Sequence, residues 1–250
     1  MSGHSKWHSI KHKKAAIDAK RGKIFNKIIR ELTVAARIGG GDPESNPRLR
    51  LIIQKAKSVN MPTDNITKAI KRGTGELEGV TYEEAIYEGY GPGGTAIMIE
   101  ALTDNKNRTT AEIRSIFSKN GGNLGENGCV SWMFNRKGLI TVKKDVVEED
   151  KLFEIVVDAG AEDLKSDDEN NVYEIMCEPD LLESVKDALE KNNIPVETAE
   201  VTMIPQNMVK IDQPDKAKQM ARLLMTLEDH DDINSVYTNA DLDSSLFEDL

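Results

Sequence analysis

Apolar residues recur every three or four positions between residues 17 and 39, which is the period of an amphipathic helix. At about 100° per residue, the following side chains share one side of it: Ile24, Phe25, Ile28, Ile29, Leu32, Ala35 and Ala36. The opposite side carries Lys20, Lys23, Lys27, Arg30 and Arg37. We expect the helix to end at Gly39-Gly40-Gly41, because glycine readily adopts the left-handed conformation that terminates helices. The pattern predicts one face for packing and one for an anionic partner.

Two shorter helices are predicted to follow. Pro47 suits the first position of a helix, and Asn46 can cap that helix with its side chain. After a further break, Thr63 or Asp64 is expected to cap a third helix. Residues 1–78 therefore form a predicted helical domain.

Strand patterns begin beyond residue 78. Glu84–Tyr90 and Thr95–Leu102 are predicted strands, joined by the turn signal Gly91-Pro92-Gly93-Gly94. The elements expected next are a polar loop at residues 103–107, a helix capped by Thr109 or Thr110 and ended by Gly121-Gly122, and a strand at Cys129–Phe134.

Residues 137–206 have the order βαββαβ, which is typical of a ferredoxin-like fold. The predicted elements are Leu139–Val142, Glu148–Ala159, Glu162–Lys165, Val172–Cys177, Pro179–Lys191 and Val196–Met203. A helix containing Met220 and Leu224 and a strand at Ile233–Tyr237 come afterwards. Because a lone helix and strand cannot form a core, we expect them to complete the sheet begun at residues 84–134.

The predicted fold class is α+β. A three-helix domain with a basic arm precedes two α/β-sandwich, ferredoxin-like domains, and the third domain is inserted into the second. The expected boundaries are 1–78, then 79–136 together with 207–250, and 137–206 for the inserted domain.

The net charge of −10 conceals a strong separation of charge along the chain. Residues 1–73 contain 17 Lys and Arg against 5 Asp and Glu, and the remainder contains 16 against 38. Such asymmetry indicates that the basic end binds nucleic acid or another anion. The simpler alternative is a solvated basic helix without a partner. Residues 1–14, here called the basic arm, contain no acid and too little apolar surface to order alone.

Other classes of protein fit the sequence less well. No stretch approaches the roughly 18–20 apolar residues of a membrane span. Cys129 and Cys177 form no CxxC pair, which favours inert thiols in a reducing cytosol. Lysines interrupt every candidate secretory signal, and the acid-poor start resembles a mitochondrial transit peptide but is rich in Lys instead of Arg. We expect a cytoplasmic protein.

Five stretches together resemble the YebC family, including its mitochondrial translational-activator relatives: SGHSKWxxIKHKK, GGxDPxxNPRLR, IYEGYGPGG, TDNKNRT and GGNLGENGCVSW. The resemblance covers essentially the whole chain. It implies three domains, the third inserted into the second, and a cytoplasmic, non-enzymatic regulator of gene expression. Members of the family are described both as DNA-binding transcriptional regulators and as ribosome-associated translation factors. The resemblance transfers no catalytic residues.

The predicted nucleic-acid site lies on the basic arm and the first helix. It comprises Lys6, Trp7, His8, Lys11, His12, Lys13, Lys14, Lys20, Arg21, Lys23, Lys27 and Arg30. Lys and Arg bind phosphates because each contact neutralises a charge and releases a condensed counterion. Trp7 either stacks on a base or folds back on the first helix. His4, His8 and His12 recur every four residues and could share one side of a helix. The surrounding lysines would repel a metal cation, so we expect no metal and no cofactor.

A secondary nucleic-acid contact is possible at Asn105, Lys106, Asn107 and Arg108, which precede a predicted helix start where N–H groups favour anions. Capping of that helix is the default interpretation. The glycine-rich turns lack the GxxxxGK[ST] pattern of a phosphate loop.

Three classes of function remain. A nucleic-acid-binding regulator is favoured, with ribosomal RNA ahead of promoter DNA, because no recognition helix rich in Arg, Asn and Gln stands out. A protein-interaction adaptor that uses the acidic domains is the second class. An enzyme is the weakest, because the only histidine outside the arm is His230, amid acids.

Overall fold

The computed structural model describes residues 21–168, 170–243 and 246. Its helices are α1 (Arg21–Gly39), α2 (Pro47–Ser58), α3 (Thr63–Gly73), α4 (Lys106–Lys119), α5 (Glu149–Asp158), α6 (Leu182–Lys191) and α7 (Pro214–Glu228). Its strands are β1 (Glu83–Gly91), β2 (Thr95–Thr103), β3 (Asn123–Leu124), β4 (Phe134–Lys143), β5 (Ala161–Asp167), β6 (Val172–Cys177), β7 (Thr198–Pro205), β8 (Val209–Lys210), β9 (Ile233–Thr238) and β10 (Ala240–Asp241). None of the described helices is long and apolar enough to cross a membrane.

The contacts divide the described residues into two compact units. One comprises 132–208, and the other comprises 21–131 together with 209–243 and 246. The predicted α+β class, with helices first and antiparallel sheets afterwards, is confirmed. The predicted boundaries of three domains stay a prediction.

Helices α1, α2 and α3 share one hydrophobic core. Its buried side chains are Ile28, Leu32, Ala35, Ala36, Leu49, Ile52, Ala56, Met61, Ile66 and Ala69. Ile24, Phe25 and Ile29 pack against this core, which confirms the predicted apolar side of α1. Helix α1 ends as predicted, because Gly40 has φ +85° immediately after it.

The starts of the two shorter helices follow different rules. Asn46 caps α2 as predicted, since its side chain accepts a hydrogen bond from the Leu49 N–H at 3.0 Å. The predicted cap of α3 is wrong: Thr63 is already helical, Pro62 precedes it, and no side chain caps the helix. The Pro62 carbonyl oxygen instead accepts hydrogen bonds from the Asn65 and Ile66 N–H groups, at 3.0 and 3.4 Å.

The first sheet has the strand order β3-β1-β2-β9, and its ladders are antiparallel. Strand β9 pairs with β2, with Val236 opposite Ile99, so the last helix and strand complete the first sheet as predicted. Ile113 and Phe117 of α4 and Met220 of α7 are fully buried in this part of the chain. The short strands β8 and β10 form a parallel pair.

The unit of residues 132–208 contains a second antiparallel sheet in the order β5-β6-β4-β7. Helices α5 and α6 lie between its strands in the sequence, which confirms the βαββαβ succession. Leu152 and Val156 of α5 and Val185 and Leu189 of α6 are buried.

The strand predicted at Cys129–Phe134 is wrong, because the extended strand β4 begins only at Phe134. The buried carboxylate of Glu88 accepts backbone hydrogen bonds from Gly128 at 2.7 Å, Val130 at 2.8 Å and Ser131 at 2.7 Å. These N–H groups are therefore unavailable to a strand ladder. Burial alone would raise the pKa of Glu88, but the three N–H donors together hold it below its ordinary value.

Replacing Glu88 with Gln should lower the free energy of unfolding by about 2–3 kcal/mol, because the charged acceptor of three backbone N–H groups is lost. The exposed Glu126→Gln in the same loop is the matched control and should change stability little. Chemical denaturation at several pH values measures both effects.

The pH dependence of stability provides a second test of the role of Glu88. The folded pKa of Glu88 is lowered, so the carboxylate stabilises the fold above the ordinary pKa of 4.5 and loses that effect as the pH falls through the folded pKa. The difference between the wild type and Glu88→Gln should therefore shrink in acid. A difference that is absent at neutral pH would contradict the role of Glu88.

Candidate nucleic-acid interface

Most of the predicted site precedes the described part of the chain. Lys6, Trp7, His8, Lys11, His12, Lys13, Lys14 and Lys20 lie outside the described residues. Arg21 begins α1, and its side chain is likewise outside the description. Lys23, Lys27 and Arg30 are the members of the predicted site on α1 whose side chains the structure places.

These three cations of α1 contact residues Glu228–Asp232, here called the acidic segment, which joins α7 to β9. The Lys23 Nζ lies 2.8 Å from the Asp229 carboxylate and 3.1 Å from the Asp229 carbonyl oxygen. The Lys27 Nζ donates to the Glu228 carbonyl at 2.6 Å. The basic side of α1 thus has an anionic partner within the same chain. Asp229 raises the pKa of Lys23, chiefly through the hydrogen bond between them.

Arg30 reaches deepest into the acidic segment. Its guanidinium lies 2.8 Å from Asp232 Oδ1 and also donates to the Asp231 carbonyl oxygen. The ring of Tyr82 lies against the guanidinium, with 5.2 Å between the ring centroid and Cζ. The contacts of Arg30 therefore link α1 to the turn that precedes β9.

Asp232 is buried and accepts hydrogen bonds from several elements at once. Arg108 Nη2 and the Thr109 hydroxyl, both in the first turn of α4, each lie 2.7 Å from its Oδ2. The Thr103 hydroxyl lies 3.3 Å from the same oxygen. Burial would raise the pKa of Asp232, but Thr109, Arg108 and Arg30 hold the pKa below its ordinary value. The carboxylate is therefore charged, and both of its oxygens accept hydrogen bonds.

The predicted secondary contact lies at the start of α4. Asn105 caps this helix by accepting a hydrogen bond from the Arg108 N–H at 3.1 Å, so the expected caps Thr109 and Thr110 are wrong. The cap shifts because Asn has a short acceptor one residue before the helical turn begins. Lys106 pairs with Glu83 at 2.9 Å, and Asn107 is exposed.

One group in the described part of the chain has metal-ligand spacing: Glu112, His230 and Asp232 have ligand atoms within 4.8 Å of one another. The Asp232 N–H donates to His230 Nδ1 at 3.1 Å, so Nε2 carries the proton that faces Glu112 Oε2 at 2.9 Å. The two arginines on Asp232 supply positive charge where a metal cation would sit. We assign this group to the hydrogen-bond network.

The network lines an open cleft of roughly 670 Å³. Lys23, Arg30, Arg108 and His230 belong to its walls, together with the carboxylates that neutralise them. Cations that already bind carboxylates contribute little net field to a phosphate. The acidic segment was not predicted as their partner. Its sequence, EDHDD, is visible in the chain, but its position opposite α1 depends on the tertiary fold.

Comparisons with known proteins cover nearly the whole chain. Residues 5–76 match the family model described as the TACO1/YebC protein N-terminal domain, and residues 82–240 match the model of the TACO1/YebC second and third domain. The chain therefore belongs to the TACO1/YebC family, which confirms the resemblance seen in the sequence.

Relatives and a solved structure agree with this assignment. The chain is 59% identical over 248 residues to a probable transcriptional regulatory protein of Persephonella marina, with 99% of each chain covered. It is 58% identical over 250 residues to one of Geobacter sulfurreducens, with 100% of each covered. The crystal structure of a conserved hypothetical protein from Aquifex aeolicus has a TM-score of 0.83 and 49% identity, covering 92% of this chain and 93% of that one.

The central place of Asp232 gives a stability prediction. Asp232→Asn should reduce the free energy of unfolding by about 3 kcal/mol, because it leaves two guanidinium groups without their shared buried partner. The neighbouring exposed Asp231→Asn removes the same charge and should cost much less. Equal losses in denaturant unfolding would contradict a specific role for Asp232.

Proposed function

We propose that this protein is a non-catalytic, nucleic-acid-binding regulator of gene expression that associates with RNA at the ribosome and acts on translation. The observation that carries the proposal is the concentration of 17 basic against 5 acidic residues within residues 1–73. Membership of a family whose relatives are named probable transcriptional regulatory proteins supports the wider class of gene-expression regulator.

The contacts of α1 support different roles for the basic arm and for the basic side of this helix. Lys23, Lys27 and Arg30 bind the acidic segment, so a phosphate backbone gains them only by displacing carboxylates and carbonyl oxygens. The lysines of the basic arm have no acid in their own segment of the sequence. We therefore assign first contact with nucleic acid to the arm, and a later, competitive role to the basic side of α1.

RNA is favoured over duplex DNA because the basic side of α1 packs on the acidic segment instead of presenting a free face to a major groove. Ribosomal RNA would offer phosphates in the irregular grooves and single strands that a basic arm can follow.

DNA-directed regulation of transcription is the second candidate, and one observation favours it. Four residues, 59–62, separate α2 from α3, which is the turn length of a helix-turn-helix. The names of the relatives point the same way. However, Lys68 of α3 pairs with Asp64 at 2.6 Å, and that pair would have to open for a phosphate or base contact.

We propose that residues 74–250 contact other proteins. Residues 74–250 have 16 Lys and Arg against 38 Asp and Glu and should be repelled by phosphate within a Debye length of about 8–10 Å. The acidic domains would orient the protein on its target and contact ribosomal or other proteins. We place this activity in the cytoplasm.

Crosslinking in cells followed by sequencing of the recovered nucleic acid tests the target. Recovery of ribosomal RNA above all other species supports the translation proposal. Recovery of promoter DNA would replace it with the transcriptional candidate.

The arm itself is tested by replacing Lys6, Lys11, Lys13 and Lys14 with Ala. Affinity for RNA in an anisotropy titration should fall about tenfold or more, because four phosphate contacts are lost. The melting temperature should hardly change, since a polar, cationic run buries little apolar surface. The control replaces the lysines at 151, 165, 191 and 210, all exposed, with Ala. An affinity that falls equally in both variants would remove the arm from the site.

A further inference from the structure

The basic residues whose side chains are described within residues 21–73 fall into two groups. The first group binds a carboxylate or a carbonyl oxygen: Lys23, Lys27, Arg30, Arg48, Arg50, Lys55 and Lys68. The side chains of the second group form no hydrogen bond or ion pair with the described residues: Arg37, Lys57, Lys71 and Arg72. Charges of the second group remain available to an external anion.

Two members of the second group line one cleft. Arg37 from the last turn of α1 and Arg72 from the last turn of α3 both face a cavity of roughly 560 Å³. The loop of residues 73–82 forms the other wall, including Leu77 and Val80. A cleft of this volume is within the range of small-ligand sites.

Close packing of glycine brings the two arginines together. A Cβ added at Gly73 would lie 2.3 Å from the Thr33 carbonyl oxygen and 2.8 Å from the Ala36 Cβ. The end of α3 therefore rests directly on the backbone of α1, and only glycine permits this approach. Arg72 is held beside the last turn of α1 as a consequence.

The following loop orders the Arg72 side chain. A Cβ at Gly79 would lie 3.1 Å from both Cγ and Cδ of Arg72, so the loop backbone runs along the aliphatic part of this side chain. The Leu77 N–H donates to the Lys71 carbonyl oxygen at 3.1 Å and fixes the return of the loop. An arginine whose stem is already packed loses less conformational entropy when its guanidinium binds a ligand.

Charges of both signs act on an anion in the cleft. Glu78 lines the cleft, and the negative ends of the α1 and α3 dipoles point towards it. Glu83 hydrogen-bonds to Lys106, which chiefly lowers the pKa of Glu83, and Arg37 lowers it further from nearby. The two guanidinium charges exceed the single carboxylate charge in the lining, and the two helix ends, worth about −0.5 of a charge each, offset that excess. Binding of an anion here therefore depends on the directed N–H donors of the two arginines.

We propose that this cleft binds one nucleotide unit of single-stranded nucleic acid, with its phosphate between Arg37 and Arg72. Leu77 and Val80, 41% and 51% exposed, supply apolar contact for the sugar or base beside the phosphate. Paired arginines suit this ligand because each guanidinium presents two parallel donors to phosphate oxygens. The inference rests on the proposed nucleic-acid function and adds a second contact, separate from the basic arm.

The test is an anisotropy titration of the full chain with a fluorescein-labelled single-stranded RNA. Arg37→Gln with Arg72→Gln should weaken binding about tenfold and make the slope of log K against log[salt] shallower by about 1.4, since each single-strand contact contributes about 0.7. The matched control, Arg48→Gln with Lys68→Gln, removes the same charge from cations that already pair with Glu84 and Asp64. It should change affinity less than threefold.

A second variant separates charge from folding and geometry. Arg37→Lys with Arg72→Lys keeps both charges and should retain most of the salt slope while losing part of the affinity, because lysine lacks the planar fork. Equal effects of the Gln pair and its control would overturn the cleft as a site. So would tighter binding of a labelled poly-glutamate peptide than of RNA, which would identify an acidic protein as the ligand.

The arm variant distinguishes this failure from failure of the proposed function. If the arm lysines matter and the Gln pair at positions 37 and 72 does not, the function stands and the cleft is excluded. If the wild type binds no nucleic acid, both proposals fall.

Discussion

A single buried carboxylate, that of Asp232, holds the N-terminal helices to the first sheet. Arg30 of α1 and Arg108 of α4 bind its two oxygens at 2.8 and 2.7 Å, and Thr109 adds a hydrogen bond. Its carbonyl oxygen also accepts the Leu102 N–H at 2.8 Å. A buried carboxylate is tolerated only when it is hydrogen-bonded and paired. Helix α1, the start of α4 and, through Thr103, the end of β2 are therefore all bound to this one carboxylate.

The same network determines which positive charges are free. The acidic segment binds three cations of α1, so these three charges of its predicted basic side are already neutralised inside the fold. Among the described residues of the three N-terminal helices, the cations with unpaired side chains lie near the helix ends, and the arm is basic in its composition. A regulator built in this way would bind nucleic acid weakly through α1 at first. Binding of nucleic acid by α1 would strengthen only when the acidic segment releases these cations.

Local rules predicted much of the fold, and tertiary contacts explain the rest. Asn46 caps α2 and Gly40 ends α1 because each signal acts within a few residues. The strand predicted at Cys129–Phe134 fails because Glu88, about 40 residues earlier, takes its N–H groups. Likewise, sequence spacing cannot show that Arg30 meets Asp232, 202 residues away. The basic side of α1 was therefore predicted from the sequence, but its partners within the fold were not.

The most direct test of this account releases the basic side of α1. Glu228→Gln with Asp229→Asn should raise the affinity of the full chain for single-stranded RNA several-fold, because two negative charges beside the basic side of α1 are removed. Lys23 loses its carboxylate partner, while Lys27 keeps its hydrogen bond to the Glu228 carbonyl oxygen. Removing two exposed carboxylates of α6, by Asp187→Asn with Glu190→Gln, controls for the change in net charge. A gain confined to the first variant in an anisotropy titration is the predicted result. Equal affinities of the two variants would contradict the account.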